Sequence, residues 1–213
     1  MANAKNSSLS RGGGARAASL SGEAGGELTA EIRWWWRGGV PASVIGYFKA
    51  GPRYPIEERV DLYLRTGQAG LGIKQRGQGE GDGFEVKALV AQLEQPVPGG
   101  RVELWTKQVA QSGKLPPGAL LNVSKSRQLR YFRVIDGQAT ETRDARESDC
   151  QLELVNVRVG RGTGISLCFE ARATLAAPAA NLVATLDMLG PPPGRDEALI
   201  ASYPAWLAGL ARI

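Results

Sequence analysis

Histidine is absent from this chain of 213 residues. Its absence excludes the commonest general base, the Ser-His and Cys-His catalytic pairs, and the commonest transition-metal ligand. Any catalysis must therefore use carboxylates, lysine, tyrosine, or a hard cation such as Mg²⁺ or Mn²⁺ held by oxygen atoms.

Cysteine is scarce and long apolar runs are missing. The only cysteines, Cys150 and Cys168, lie in strand-like segments, where they form either one disulfide or, as we expect, two buried reduced thiols. No run approaches the roughly 20 apolar residues of a membrane span, and the N-terminus lacks the apolar segment of a secretory signal. These features favour a cytoplasmic protein without a membrane partner.

The chain also has little excess of one charge. Its 26 basic and 21 acidic residues give a formal net charge of +5, and the first 26 residues contribute three basic residues against one acidic. The remaining excess is small, which argues against nucleic acid as a partner. The local arrangement of charges is therefore more informative than their total.

Two regions differ in composition. Residues 1–26 consist mainly of Ala, Ser and Gly with scattered charges, a composition that cannot bury enough apolar area to offset chain entropy. We predict that they form a disordered tail. Residues 27–213 have the length of one domain with its own core.

Charged and apolar residues alternate in the segments RVDLYLR (59–65), LGIKQR (71–76) and FEVKAL (84–89). Since successive strand residues point to opposite faces, each segment predicts a strand with one apolar and one ionic face. The same alternation recurs in later segments. Together, the ionic faces carry the basic residues Arg59, Arg65, Lys74, Arg76, Lys87, Lys107, Lys125 and Arg127.

About eight such strands precede a C-terminal region with helical spacing, which includes a helix over 179–189 and a final segment that we expect Pro204 to break. The pattern predicts an α+β, mainly β fold: an eight-stranded antiparallel barrel, closed or nearly closed, with C-terminal helices. A flat sheet with one solvated face would also alternate. Against it, the polar face consists mainly of Arg, Lys, Glu and Asp rather than Ser and Thr.

If the sheet closes, the basic side chains converge on a tunnel suited to a polyanion, where Arg supplies bidentate phosphate contacts and Lys acts as a point charge. Carboxylates in the same tunnel would repel phosphates unless a divalent cation bridged them.

Three consecutive tryptophans stand in the first strand. Alternation sends Trp34 and Trp36 to the apolar face, where core packing accounts for them. Trp35 faces the charged side, where it either stacks on an aromatic part of a ligand or fills one end of the tunnel. We favour the second interpretation.

The chain resembles the CYTH domain, or triphosphate tunnel metalloenzyme, superfamily in the order of its segments between Glu31 and Leu207. These are EIRWWWRG, RVDLYLR, LGIKQR, FEVKAL, VELWTKQ, SKSRQLRYF, CQLELV, SLCFEA and SYPAWL. The resemblance implies an eight-stranded tunnel that binds triphosphate or polyphosphate compounds with Mg²⁺ or Mn²⁺. Members of that family include inorganic and thiamine triphosphatases, class IV adenylate cyclases and RNA triphosphatases.

The resemblance also suggests roles for residues. It implies that phosphate is bound by Lys74 and Arg76, by Lys87, and by the later pair Lys125 and Arg127, to which strand alternation adds Arg59. It implies that Mg²⁺ or Mn²⁺ is held by Glu31, Glu153 and Glu170, with Glu153 the better candidate of the last two.

The first strand departs from the family signature E-x-E-x-K. Glu31 matches the first glutamate, but Arg33 stands in place of the second and Trp35 in place of the lysine. A cation in place of an oxygen ligand should weaken a divalent site. Glu31 is also open to a simpler interpretation as an ion-pair partner of Arg33.

Three functions remain open at this stage. The first is metal-dependent hydrolysis of a triphosphate or polyphosphate compound, with no catalytic residue assigned. The second is a non-catalytic binding module for phosphate compounds that has lost the full metal site. The third is a β-barrel interaction protein with a solvated charged face.

Overall fold

The structure is a computed structural model that describes residues 26–52, 54–76, 83–97, 100–110, 113, 115–116, 120–174 and 177–210. Apart from Gly26, the predicted tail lies outside the described residues.

Strands dominate the described part of the chain. They are β1 (Glu27–Trp36), β2 (Glu57–Leu64), β3 (Leu71–Arg76), β4 (Phe84–Val97), β5 (Gly100–Ala110), β6 (Leu120–Ile135), β7 (Gln138–Thr142), β8 (Cys150–Val159), β9 (Gly162–Arg172) and β10 (Leu199–Ile200). The α-helices are α1 (Ala42–Lys49), α2 (Pro178–Leu189) and α3 (Tyr203–Leu210). Single turns of 3₁₀ helix cover Ala145–Glu147 and Arg195–Glu197.

Eight strands close into an antiparallel barrel in the order β1, β5, β4, β3, β2, β6, β8, β9, and β9 pairs back onto β1. The closing ladder is long, running from Thr29 opposite Arg172 to Trp36 opposite Ile165. The predicted barrel is therefore confirmed, and the alternative of a flat solvated sheet is wrong. The two remaining strands extend the walls, since β7 pairs with β6 and β10 with the end of β1.

A two-residue turn joins β6 to β7. Asp136 and Gly137 both have positive φ, 50° and 74°, between the paired residues Ile135 and Gln138. This is the Asp-Gly hairpin signal that the sequence contains. Neither β7 nor β10 was predicted.

The main apolar core lies outside the barrel rather than within it. Outward side chains of β1, β8 and β9 pack against the two helices α1 and α2, and both Trp34 and Trp36 belong to this cluster. The 179–189 helix is confirmed as α2, which begins one residue earlier at Pro178. No helix among the described residues is long and apolar enough to cross a membrane.

The cysteines are two free, buried thiols, as expected. Cys150 pairs with Ala171, and Cys168 pairs with Glu153, so the two thiols are offset by three positions along the β8–β9 ladder. That offset corresponds to about 10 Å, beyond the reach of a disulfide. Burial raises the pKa of Cys150 to about 12, so this thiol is protonated at neutral pH.

Helix α3 closes one end of the barrel. Trp206 and Leu207 pack there on Trp35, Val155 and Val157 in a second apolar cluster. The final segment is divided into two helical pieces, as expected, but the break lies before Pro204. The 3₁₀ turn ends at Glu197, and α3 begins at Tyr203 with Pro204 in its first turn. Proline is tolerated there, since the first turn leaves backbone N–H groups without helical partners.

Gly164 sets how closely α3 approaches the barrel. A Cβ atom at this position would lie 2.7 Å from Cζ2 of Trp206 and 3.2 Å from Cε3 of Trp35. We expect Gly164→Ala to lower the free energy of unfolding by about 1–3 kcal/mol, because the indole rings must move. The control is Gly46→Ala within α1, where nothing lies within 4 Å and alanine should be neutral or stabilising. Chemical denaturation of both variants checks this, and equal stability would contradict the close packing.

Candidate functional site

A cavity of about 300 Å³ occupies the barrel interior. Among the described residues that line it, nine are basic and six acidic. The basic ones are Arg33, Arg59, Lys74, Arg76, Lys87, Lys107, Lys125, Arg127 and Arg172, and the acidic ones are Glu27, Glu31, Glu85, Asp149, Glu153 and Glu170. The ionic faces predicted from strand alternation thus face inward, and basic groups exceed acidic ones.

The cavity is closed at one end and accessible at the other. Tyr203 and Pro204 of α3 form the closed end, together with Tyr63 near the end of β2. At the other end of the barrel, side chains at the ends of β3, β2 and β1 are exposed to solvent. The exposed fraction is 57% for Arg76, 47% for Glu57 and 41% for Glu27. A ligand would therefore enter on that side, which we call the mouth.

Every residue proposed as a phosphate or metal ligand lies at this cavity. The expectation that Arg65 joins them is wrong, because β2 ends at Leu64 and Arg65 is exposed outside the cavity. The proposed phosphate ligands are Arg59, Lys74, Arg76, Lys87, Lys125 and Arg127, and the proposed metal ligands are Glu31, Glu153 and Glu170. They differ in how accessible they are, and each of the nine takes part in an ion pair.

Arg33 lies at the centre of the charged network. Its Nε donates to Glu31 at 3.0 Å, and its Nη1 donates to Glu153 at 2.9 Å and to the Ser166 hydroxyl at 2.8 Å. Burial alone would lower the pKa of Arg33, but its neighbours Cys168, Glu31, Glu153 and Tyr203 together outweigh burial and hold this pKa well above its ordinary value. The simpler interpretation of Glu31, an ion pair with Arg33, is confirmed.

Lys87 continues the network. Its ammonium group donates to Glu31 and, at 3.2 Å, to Glu170, whose other oxygen accepts from the Gln151 side chain at 3.0 Å. Glu31 and Glu170 stand directly opposite each other on β1 and β9. Since like charges in that position repel, Lys87 is what allows both to be ionised. Burial would raise the pKa of Glu170, but Lys87 and the neighbouring cations lower it strongly.

Lys125 lies at the closed end and is almost inaccessible. Its Nζ donates to Asp61 at 2.7 Å and to the Tyr63 hydroxyl at 2.9 Å. The same nitrogen lies 4.9 Å from the centroid of the Tyr63 ring and 4.4 Å from that of Tyr203. Its side chain is only 3% exposed, so this predicted phosphate ligand sits in an aromatic and carboxylate cage.

Further ion pairs lie between the centre of the cavity and its mouth. Lys74 and Arg76 both contact Glu85, at 2.7 and 3.2 Å. Arg127 contacts the exposed Glu57 at 2.6 Å and Glu153 at 3.3 Å. These cations face the cavity.

Trp35 fills the closed end of the tunnel, as the sequence favoured. Its ring stacks on Trp206 with centroids 4.1 Å apart and planes 2° apart, and it meets Tyr203 edge-on at 5.1 Å. Its Nε1 donates to the Ala201 carbonyl at 2.8 Å. Protein groups thus cover the indole, which leaves no free face for a nucleobase.

The carboxylates do not fit a divalent cation. Both Glu31 and Glu153 are hydrogen-bonded to Arg33, and Glu170 is held by Lys87 and Gln151. A metal ion bound between them would stand beside a fixed guanidinium. Within the described residues, no cluster of three carboxylate or thiol groups has the geometry of a metal site.

Sequence reasoning missed several contributors. Ser166, Tyr203 and Arg172 line or support the cavity, and the inward parity of Glu170 would have identified Ser166 and Arg172 on the same strand. The guanidinium of Arg172 donates hydrogen bonds to the carbonyls of Ser148 and Arg146, at 2.7 and 2.8 Å, which fixes its position at the mouth. Tyr203 arrives from α3, which strand periodicity cannot predict.

The pKa of Glu153 predicts how stability depends on pH. Burial would raise this pKa, but Arg33, Arg127 and Lys125 lower it from 4.5 to about 2. The ionised carboxylate therefore stabilises the folded state fully above pH 5, and this contribution, on the order of 3 kcal/mol, is lost as the pH falls from about 4.5 to 2. We expect Glu153→Gln to lower the free energy of unfolding at pH 7 and to flatten its acid dependence, as measured by urea denaturation.

The control for that experiment is Glu58→Gln on the exposed outer face of β2. It should stay within about 0.5 kcal/mol of the parent protein at every pH. An acid profile of Glu153→Gln as steep as that of the parent would show that the buried pairs do not stabilise the fold.

Comparison with known proteins adds no relative. No protein-family model matches the sequence, and the search of curated proteins finds no match. The side chains of the cavity are therefore the basis for assigning a function.

Proposed function

We propose that the cavity binds a triphosphate or polyphosphate compound, and that the protein acts as a binding module. The observation that carries this proposal is the convergence of basic side chains from several strands on one enclosed cavity. Its volume of about 300 Å³ lies at the lower end of the range for small-ligand sites. A short chain of phosphates is compact and highly charged, which suits such a site.

Apart from Arg172, whose guanidinium is held by backbone carbonyls, six basic residues that line the cavity are at least partly accessible: Arg59, Lys74, Arg76, Lys87, Lys107 and Arg127. They come from β2, β3, β4, β5 and β6, so they surround a ligand rather than line one side of it. Arginine can contact two phosphate oxygens at once, and lysine adds point charges.

Two carboxylates at the mouth can give way to the ligand. Glu27 holds Lys107 at 3.1 Å, and Glu57 holds Arg127 at 2.6 Å. Because both glutamate side chains are nearly half exposed, they can rotate into water at little cost. Their departure would raise the positive charge of the cavity at the moment a polyanion enters.

Hydrolysis is not part of the proposal. The three glutamates that the resemblance assigns to a divalent ion are bound by Arg33 and Lys87 instead. The third possibility, an interaction protein with a solvated charged face, is less well supported because the charged face is inside the barrel. The binding module therefore accounts best for the cavity.

We expect purified protein to bind tripolyphosphate in isothermal titration calorimetry without releasing phosphate. Arg127→Gln should weaken this binding by about tenfold or more, since it removes charge-assisted hydrogen bonds worth about 1.5–3 kcal/mol. Phosphate release is followed in parallel with nucleoside triphosphates and tripolyphosphate, with and without Mn²⁺.

The matched control is Arg158→Gln, which removes the same charge from the exposed outer face of β8. It should leave the affinity within about twofold of the parent protein. Equal losses in the two variants would indicate non-specific attraction, and no binding by the parent protein would refute the proposal in favour of the interaction protein.

A further inference from the structure

Two cations at the centre of the cavity, Arg33 and Lys87, together neutralise its three glutamates. Arg33 bonds Glu31 and Glu153, and Lys87 bonds Glu31 and Glu170. The result is a continuous row in which three carboxylates alternate with two cations. It spans β8, β1, β4 and β9, and it includes the strands on which the barrel closes.

The charges of this row equal those of a metal site. Three carboxylates with one divalent ion carry a net charge of −1, and three carboxylates with one guanidinium and one ammonium carry the same. Each carboxylate also has a hydrogen-bond donor close by, at 2.9 to 3.2 Å for the bonds of Arg33 to Glu31 and Glu153 and of Lys87 to Glu170. The side chains therefore provide the neutralisation that a divalent ion would otherwise bring.

Arg33 cannot easily leave this position. Its side chain is 4% exposed, its guanidinium carbon lies 4.7 Å from the Tyr203 ring centroid, and Ser166 holds Nη1. A divalent ion that took over Glu31 and Glu153 would leave the guanidinium buried without a carboxylate, which is strongly unfavourable. The aromatic ring from α3 further disfavours any outward rotation, because it holds the cation by a cation–π contact.

We propose that Arg33 and Lys87 are a built-in substitute for a divalent cation, so that the cavity binds phosphate compounds without metal. This inference rests on the proposed function and specifies its chemistry: recognition uses side-chain N–H groups alone. The ligand class is the free, uncomplexed triphosphate or polyphosphate anion. Complexation by Mg²⁺ or Mn²⁺ lowers the negative charge of such an anion and weakens its attraction to the basic mouth.

The first test uses the parent protein. Tripolyphosphate is titrated calorimetrically into protein in EDTA and, separately, in Mn²⁺. We expect an affinity in Mn²⁺ that is equal to or lower than that in EDTA. An affinity at least about tenfold higher in Mn²⁺ would overturn the inference while leaving the proposed binding function intact, whereas no binding in either buffer would overturn both.

A titration of Mn²⁺ alone, followed by its electron paramagnetic resonance signal, tests the same point without a phosphate ligand. We expect the signal of free Mn²⁺ to persist in the presence of the protein. Loss of that signal, reversed by mutation of Glu31 or Glu153, would overturn the inference.

A variant tests whether Arg33 is the responsible group. Arg33→Gln frees carboxylate oxygens, so Mn²⁺ should raise its melting temperature and tighten tripolyphosphate binding by about tenfold or more. Arg33→Lys keeps the charge and should remain insensitive to Mn²⁺. The matched control is Arg76→Gln, which removes a charge at the mouth and should weaken binding without creating a response to metal.

An Arg33→Gln protein that folds but shows neither response would overturn the assignment to Arg33. If this variant does not fold, the two measurements on the parent protein still decide between side-chain cations and a metal ion.

Discussion

The buried ion pairs of Arg33 with Glu31 and Glu153 are the constraint on which the rest of this structure depends. They connect β1 to β8 at the level where the barrel closes, and they fix an ionic interior. An interior of this kind cannot serve as the hydrophobic core. The chain therefore places its main core outside the barrel, between the outer faces of β1, β8 and β9 and the helices α1 and α2.

Such an interior is costly in free energy. Moving several charges out of water is unfavourable, their mutual attraction only partly offsets this, and an apolar filling of the same volume would often be at least as stable. Ion pairs nevertheless extend through the interior, from Lys125 with Asp61 at the closed end to Lys87 with Glu170. An interior that is ionic, paired and open at one mouth fits a binding role better than a purely structural one.

The sequence was sufficient to predict the walls of the barrel. Strand alternation correctly predicted the inward faces of Arg59, Lys74 and Glu85, and the number and spacing of the strands predicted a closed or nearly closed barrel. Periodicity also separated Trp34 from Trp35, because neighbouring strand residues face opposite sides of a sheet. The short strands β7 and β10 were not predicted, because two to five residues are too few to show the alternation of polar and apolar residues.

The structural role of Arg33 could not be predicted from the sequence, because it depends on contacts with residues that are distant in sequence. In the sequence alone, Arg33 indicates only a lost metal ligand, because a cation stands where the family that the chain resembles has a carboxylate. Its partner Glu153 lies 120 positions away and becomes a neighbour only when β8 and β9 close the barrel against β1. The same holds for Tyr203, which reaches the cavity from α3, and for Pro204, whose place in a first helical turn is decided by the packing of that helix.

The central claim is that side-chain cations, rather than a metal ion, hold phosphate in this barrel. The most direct measurement is a crystal structure of the protein grown with tripolyphosphate and Mn²⁺, with data collected at the manganese absorption edge. We predict phosphate density among Lys74, Lys87 and Arg127, with Arg33 still between Glu31 and Glu153 and no anomalous peak beside them. A manganese peak bonded to Glu31 and Glu153, with Arg33 displaced, would contradict the claim.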